Sequence, residues 1–354
     1  MMKQRLATQV LALALAPVAM VPLACATAQV TIEEITFTSE AFTIVGDLRL
    51  PAGAGPHPVV LFVHGDGPNS RTSGVTYPPL MERMHRTGYA TFAWDKPGTG
   101  ESTGEFDGGR LLDQRAQIVL DAVAVMRARP DIDAGRIGLW GISQAGYVMP
   151  RVLERTDDVA FMIAIGCPGE PGVDQGAYLV TAQARCTGGL TDQEAETMEF
   201  LLGAVERAET YPEYVAHKTA LRAIPAFMAL EGQGVFVGVQ PEERWHEPNL
   251  AGDYFLDPMA AVARTDIPVL AVFGERDTQA DPIQGVAAYR AALEHGNHPL
   301  SRVELIPGTD HNILLSETGC IAERDRRSRS GWRNYPEQYL SLIEEWLTQV
   351  RRAW

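Results

Sequence analysis

Residues 138–150 read GLWGISQAGYVMP, and they place one serine, Ser143, between small residues where the hydrophobic pattern changes period. Before it, Arg136, Ile137, Gly138, Leu139 and Trp140 form a short, mostly apolar run, the mark of a buried strand. After it, Tyr147, Val148, Val152 and Leu153 recur at helical spacing. A serine at such a junction is either an ordinary helix N-cap or a nucleophile held on a tight elbow. The surrounding chain decides between them.

Outward from this stretch, strands and helices alternate. Residues 35–39 and 42–50 read as an antiparallel hairpin, and 58–63 as a buried strand running into His64-Gly65-Asp66-Gly67. A helix near 80–86, a strand at 90–94 and a long amphipathic helix over 111–127 lead up to the quoted segment, and 161–165 is a further strand. From Gly169 to Pro258 no strand pattern occurs, and Thr191-Asp192-Gln193-Glu194 is a capping box opening a helix through Ala208. Alternation resumes with a strand at 268–273, a helix at 283–294, a strand at 303–306 and a final helix at 337–350. The pattern predicts an α/β fold, a mostly parallel sheet covered by helices on both faces, with an inserted helical cap. The expected division is 1–28 as a signal peptide, 29–168 and 259–354 as the two parts of the core, and 169–258 as the cap.

Residues 1–28 differ in kind from the rest. Lys3 and Arg5 precede an apolar run from Leu11 to Leu23, and Ala26-Thr27-Ala28 supplies the small residues of a cleavage site. A membrane anchor is the competing reading, but Pro17 and Pro22 interrupt the run; an anchor through Cys25 is disfavoured by Pro22. The expectation is a secreted or periplasmic bacterial protein. The formal charge is −15, and removing Lys3 and Arg5 leaves 28 − 45 = −17, which argues against nucleic acid as a partner. An oxidising compartment permits disulfides. Of Cys167, Cys186 and Cys320, the first ends an apolar strand and reads as a buried free thiol, which leaves Cys186–Cys320 as the expected bridge.

Strand ends are where such sheets carry their chemistry. Gly141-Ile142-Ser143-Gln144-Ala145 fits a strand–turn–helix elbow in which positions 141 and 145 must both be small. A serine hydroxyl needs a base, and His311 is the histidine that follows a strand by a short loop, Pro307-Gly308-Thr309-Asp310. His57 falls in a Pro-rich turn, and the other histidines fall in helical or polar loop segments. A carboxylate must orient that base. Asp277, three residues beyond Gly274 at the end of a strand, is favoured over Asp281, which precedes Pro282 as a helix-start residue, and over Asp310. The N–H groups of Gln144 and Asp66 are the expected oxyanion donors, with Gly65 and Gly67 granting the backbone freedom for it.

With FVHGDGP (62–68), WDKPGTGES (94–102), GISQAG (141–146), FGERD (273–277) and GTDHN (308–312), nearly the whole mature chain resembles the α/β-hydrolase superfamily. It is most similar to the bacterial esterase and serine-peptidase-like branch, with a helical cap between the sixth and seventh core strands. Pro97 stands where the family pattern commonly has arginine. The resemblance implies acyl transfer through Ser143, Asp277 and His311, with no cofactor and no metal. An exported carboxylic-ester hydrolase is the leading expectation, a peptidase or amidase on the same site the runner-up. A non-catalytic binding protein is disfavoured by the complete set of three residues, and a dehalogenase by the absence of a carboxylate at position 143. The partner is a small-molecule ester or amide. Gly169 to Pro258 holds 15 acidic and 5 basic residues among many aromatic ones, which predicts an apolar floor beneath a negative rim that favours neutral or cationic substrates.

Overall fold

The quoted segment lies at the centre of the sheet. In the computed structural model, which describes residues 30–73, 76–105, 112–231, 238–245, 255–327 and 334–354, strand β5 (Ile132–Ile142) is flanked by β3 (His57–Val63) and β6 (Phe161–Ile165). Both pairings are parallel, with Val63 opposite Gly141 and Ile142 opposite Ile165. The remaining strands are β1 (Thr31–Ser39), β2 (Phe42–Leu50), β4 (Ala90–Trp94), β7 (Val269–Gly274) and β8 (Arg302–Ile306). They complete an eight-stranded sheet in the order β1-β2-β4-β3-β5-β6-β7-β8. Only β2 pairs antiparallel, to β1 and to β4. The signal-peptide reading concerns residues 1–28, outside the described residues.

Alternation along β3 shows why the sheet needs cover on both faces. Val59, Leu61 and Val63 join one buried cluster, Val60 and Phe62 the other. Period-2 side chains on a strand buried on both faces produce this division. The first cluster is closed by helices α2 (Leu112–Arg127) and α3 (Ala145–Leu153), through Val119, Val123, Val148 and Val152. The second is closed by α1 (Tyr77–Arg86) and by the C-terminal helix Glu337–Ala353, through Leu80, Met84, Ile343 and Trp346. His57, expected in a turn, instead opens β3: it is buried, and its N–H donates to Asp131 O at 2.8 Å.

Between β6 and β7 the chain is helical: α4 (Gly172–Thr187), α5 (Asp192–Glu206), α6 (Tyr211–Arg222) and α7 (Pro225–Glu231), followed by shorter turns. The Thr191 capping box is present, since Glu194 N–H donates to Thr191 Oγ1 at 3.2 Å and Thr191 N–H to Glu194 Oε2 at 2.9 Å. A second box opens α6 at Thr210. These helices pack on a core of their own, with Met198, Tyr214, Leu221, Phe227 and Leu230 buried together. No helix of the described residues is long and apolar enough to cross a membrane.

A disulfide joins Cys186, at the end of α4, to Cys320, in the loop beyond His311, across 134 residues of sequence. Cys167 is a buried free thiol, as its place at a strand end implies. The bridge ties the helical excursion to the loop that carries His311. Replacing both Cys186 and Cys320 by alanine should cost about 2–4 kcal/mol of stability, the usual worth of closing a long loop. The loss is read as a lower urea midpoint, and an unchanged midpoint would mean that the bridge does not form in solution.

Candidate active site

The turn between β5 and α3 consists of Ser143 and Gln144 alone. Ser143 has φ +58°, a left-handed conformation that costs a residue with a side chain about 1–2 kcal/mol. Ser143 N–H donates to Ile165 O at 2.9 Å, and Gly146 N–H to Ser143 O at 2.8 Å, so the strained residue is tied to β6 and α3. Val148, Met149 and Val152 are wholly buried beneath it. Each contributes about 1.5–3 kcal/mol, more than the strain. A methyl group added at Gly141 would lie 2.6 Å from the Ala145 Cβ, which is why both positions are small. The N-cap of α3 is Gln144, and no side chain caps it. Ser143 therefore does no capping, and the N-cap reading falls away.

His311 and Asp277 meet at the ends of β8 and β7. His311 Nδ1 donates to Asp277 Oδ2 at 2.7 Å, with both side chains buried. The other carboxylate oxygen, Oδ1, accepts from the N–H groups of Gln279 at 2.7 Å and Ala280 at 3.0 Å. With its proton on Nδ1, the ring turns a lone pair outward at Nε2, which is buried and has no hydrogen-bond partner among the described residues. The two rival acids are occupied locally. Asp281 caps the helix Pro282–Gly296, and Asp310 Oδ1 accepts from Asn312 N–H at 3.0 Å and Leu314 N–H at 3.1 Å. Tyr178 of α4, which sequence reading placed only among the cap aromatics, donates its hydroxyl to Asp277 O at 2.8 Å.

Ser143 and His311 line one cavity of about 540 Å³, together with Asp66, Tyr77, Trp140 and Tyr335. The loop after β3 forms its far wall. A methyl group at Gly65 would sit 3.2 Å from Ser143 Cβ and 3.1 Å from Ile142 O, so the loop runs directly against the serine. Asp66 is exposed to solvent. Its N–H and that of Gln144 enter no hydrogen bond among the described residues. Buried Lys96 donates to Gly65 O at 2.6 Å and Gly67 O at 2.8 Å. Arg115 of α2 donates to the carbonyls of His64 and Gly65 and to Gln144 Oε1. Neither cation was singled out in the sequence, because nothing local distinguishes it from a surface charge.

His64 props the same loop. Its Nε2 donates to Trp94 O at 2.6 Å, and its Nδ1 accepts from the Tyr77 hydroxyl at 2.8 Å. Burial first, then the charges of Lys96 and Arg115, push its pKa down to about 3. It is a neutral strut.

The helical excursion departs from expectation. Tyr211 stacks on Tyr214, Trp245 packs tilted against both, Phe227 is buried with them, and Phe200 is 71% exposed. Tyr211, Tyr214, Phe227 and Trp245 fill the inside of the helical layer because short helices must bury their apolar faces against each other; Phe236 and Tyr254 lie outside the described residues. The acids Asp174, Glu196, Glu199 and Glu213 line a separate cavity with Phe200. Glu170 has its carboxyl pushed up to about 7, by burial and then by Asp281, Asp174 and Glu199. Among the described residues the acids lining the cavity of Ser143 are Asp66 and Asp310, neither of them from the helical excursion, and the cation is Arg324, paired with Asp325 at 3.0 Å. Arg324, Arg326 and Arg327 belong to the helix Ile321–Arg327, and Arg329 lies outside the described residues.

A doubly covered, mostly parallel sheet with serine, carboxylate and histidine after the ends of β5, β7 and β8 defines a hydrolase of the α/β class. The chain belongs to the alpha/beta hydrolase family, whose sequence profile matches residues 60–322. An Escherichia coli protein described as an uncharacterized 31.7 kDa protein in the traX-finO intergenic region is 26% identical over 250 residues, 69% of this chain and 80% of that one. Esterase EstD of Thermotoga maritima is 25% identical over 243 residues, 66% of this chain and 50% of its own length. A solved Pyrococcus furiosus esterase shares the fold, with a TM-score of 0.53 at 17% identity over 90% of this chain and 91% of its own.

The depressed pKa of His64 has a stability consequence. The unfolded chain takes up a proton near the ordinary value of 6.5, whereas the folded chain does so only near 3. Between these values the unfolded state holds more protons, so stability falls as the pH drops through that window, by up to about 1.4 kcal/mol per pH unit. His64→Gln should flatten the slope in urea titrations between pH 6 and 4. An unchanged slope would show that His64 is not held neutral.

Proposed function

We propose that this hydrolase cleaves carboxylic esters through an acyl-serine intermediate, with Ser143 as nucleophile, His311 as base and acid, and Asp277 as its orienting carboxylate. The observation that carries the reading is the buried, unpartnered His311 Nε2 in the cavity that Ser143 also lines, behind an Nδ1 tied to Asp277. The likeness to Esterase EstD supports ester cleavage.

In this mechanism Ser143 Oγ attacks the carbonyl carbon while His311 Nε2 takes its proton. The carbonyl π-pair moves onto oxygen, and that oxyanion accepts from the N–H groups of Asp66 and Gln144. One such donor is worth about 3–4 kcal/mol at the barrier. Collapse breaks the bond to the leaving oxygen, which leaves as the alcohol with the proton from His311. Water then gives its proton to Nε2 and attacks the acyl carbon, and the second collapse releases the acid and returns the proton to Ser143. Asp277, fixed by two backbone N–H groups, holds the ring in one tautomer and offsets the charge of the imidazolium. We also propose that the protein works outside the cytoplasm. The Cys186–Cys320 bridge supports that placement, since such bridges persist in oxidising compartments.

Ser143→Ala should reduce kcat on a chromogenic ester by about 10⁴-fold or more while the thermal unfolding profile stays native-like. A fluorophosphonate should label the wild type at Ser143 alone. Near-normal turnover by the variant would remove Ser143 as the nucleophile.

Asp277→Asn should lower kcat by about 10³–10⁴-fold with KM little changed, because it disturbs the tautomer of the base. A larger loss from Asp281→Asn would transfer the role to that residue.

A further inference from the structure

We infer that Lys96 and Arg115 are positioning residues that aim the Asp66 N–H into the serine cavity by gripping the carbonyl on the other side of the same peptide unit. The inference rests on Ser143 being the acyl nucleophile. Gly65 C=O and Asp66 N–H belong to one trans peptide plane, so the two groups point in opposite directions. Whatever holds the carbonyl sets the direction of the N–H. Lys96 Nζ lies 2.6 Å from Gly65 O, and the Arg115 guanidinium lies 3.3 Å from the same atom.

The two sides of the loop are chemically separate. Lys96 and Arg115 line a cleft behind it with Val63, Trp94 and Ile118, whereas Gly65, Asp66 and Gly67 line the cavity with Ser143. Neither cation lines the serine cavity, so each acts through the loop. Lys96 also holds Gly67 O at 2.8 Å, and Arg115 holds His64 O. Carbonyls on both sides of the Asp66 peptide are therefore pulled to the back. Arg115 further bonds Gln144 Oε1, the side chain of the residue that carries the other donor N–H. One guanidinium thus ties the two arms of the oxyanion site together.

Such a grip is needed because the segment is glycine-rich. Gly65 carries no Cβ to resist rotation of its peptide, and Gly67 already sits at φ +82°. A rotated Gly65–Asp66 peptide would present a carbonyl oxygen where the developing anion forms, turning an attraction into a repulsion. Cationic donors on the carbonyl also polarise the amide, which strengthens its N–H as a donor.

The test compares Lys96→Met with Lys96→Arg, and Arg115→Gln with Arg115→Lys. Turnover is expressed per Ser143 labelled to completion by a fluorophosphonate. The second readout is the Ki of a trifluoromethyl ketone, which forms a hemiketal oxyanion on the serine. Lys96→Met should lower kcat per labelled site by about 10²-fold, the usual cost of one oxyanion donor, with KM within about three-fold. The ketone Ki should weaken by a similar factor, and Lys96→Arg should recover much of both. Arg115→Gln should cost about ten-fold in each and supplies the measurement if Lys96→Met does not fold. A merely structural role would reduce the fraction of labelled sites and the Tm but leave kcat per site and Ki at wild-type values; that result overturns the inference. Failure of the wild type to label at Ser143 would overturn the hydrolase reading instead.

Discussion

Ser143 is held in a backbone conformation that a residue with a side chain avoids, and the centre of the sheet is arranged so that it has no alternative. β5 delivers the chain to a turn two residues long, and α3 must start at once because its apolar face is buried against the sheet. The left-handed φ of Ser143 is the geometric consequence. A bond to Ile165 O on β6 secures it from one side, and the contact between Gly141 and Ala145 leaves space for nothing larger on the other. Strain of about 1–2 kcal/mol is small beside the burial of α3, so the strand–helix packing sets the serine's exposure.

Everything else in the site is placed relative to that turn. β7 and β8 lie on the far side of β6, and their C-terminal loops bring Asp277 and His311 toward the same edge of the sheet. β3 lies on the near side, and its C-terminal loop brings Gly65 against Ser143. The parallel strand order thus gathers four loops at one edge. Polar atoms behind the loop after β3 are satisfied by charge: Lys96 and Arg115 take carbonyls, while His64 stays neutral between Tyr77 and Trp94. A neutral histidine suits this location, because a third positive charge beside two cations would be costly.

The helical excursion is a layer with its own interior. Tyr211, Tyr214, Phe227 and Trp245 stabilise it internally, and Tyr178, Gln183 and Cys186 attach it to the core. Tyr178 reaches Asp277 O, Gln183 donates to Thr278 O at 3.1 Å, and the Cys186–Cys320 bridge pins α4 to the loop beyond His311. That loop is also knotted by Glu323, whose carboxylate accepts from the Glu317 and Thr318 N–H groups and the Ser316 hydroxyl. Burial opposes the charge on Glu323, but these bonds outweigh it and hold the carboxyl down at about 2. The excursion therefore buttresses the Asp277–His311 pair.

Local chemistry was legible in the sequence wherever a constraint acts between near neighbours. The small pair Gly141 and Ala145, the strand–helix change of period at Ser143, the capping box at Thr191 and the Asp281-Pro282 helix start are all short-range rules. The mostly parallel sheet and the meeting of Asp277 with His311 followed from alternation and from the shortness of the loops after each strand, whereas the strand order came only with the structure. What escaped was contact at long range. Lys96 and Arg115 are ordinary cations until the fold brings them behind the loop after β3, and Tyr178 is one aromatic among many until α4 lies over Asp277. The charge of the cap misled for the same reason: composition counts acids but not the side of a helix they face. Sequence alone thus determined the fold class and the three residues at the strand ends, because those depend on hydrophobic period and local turn geometry. The direction of the carbonyls in the loop after β3, the neutrality of His64 and the facing of the cap depend on which distant atoms share a buried space, and only the tertiary structure decided them.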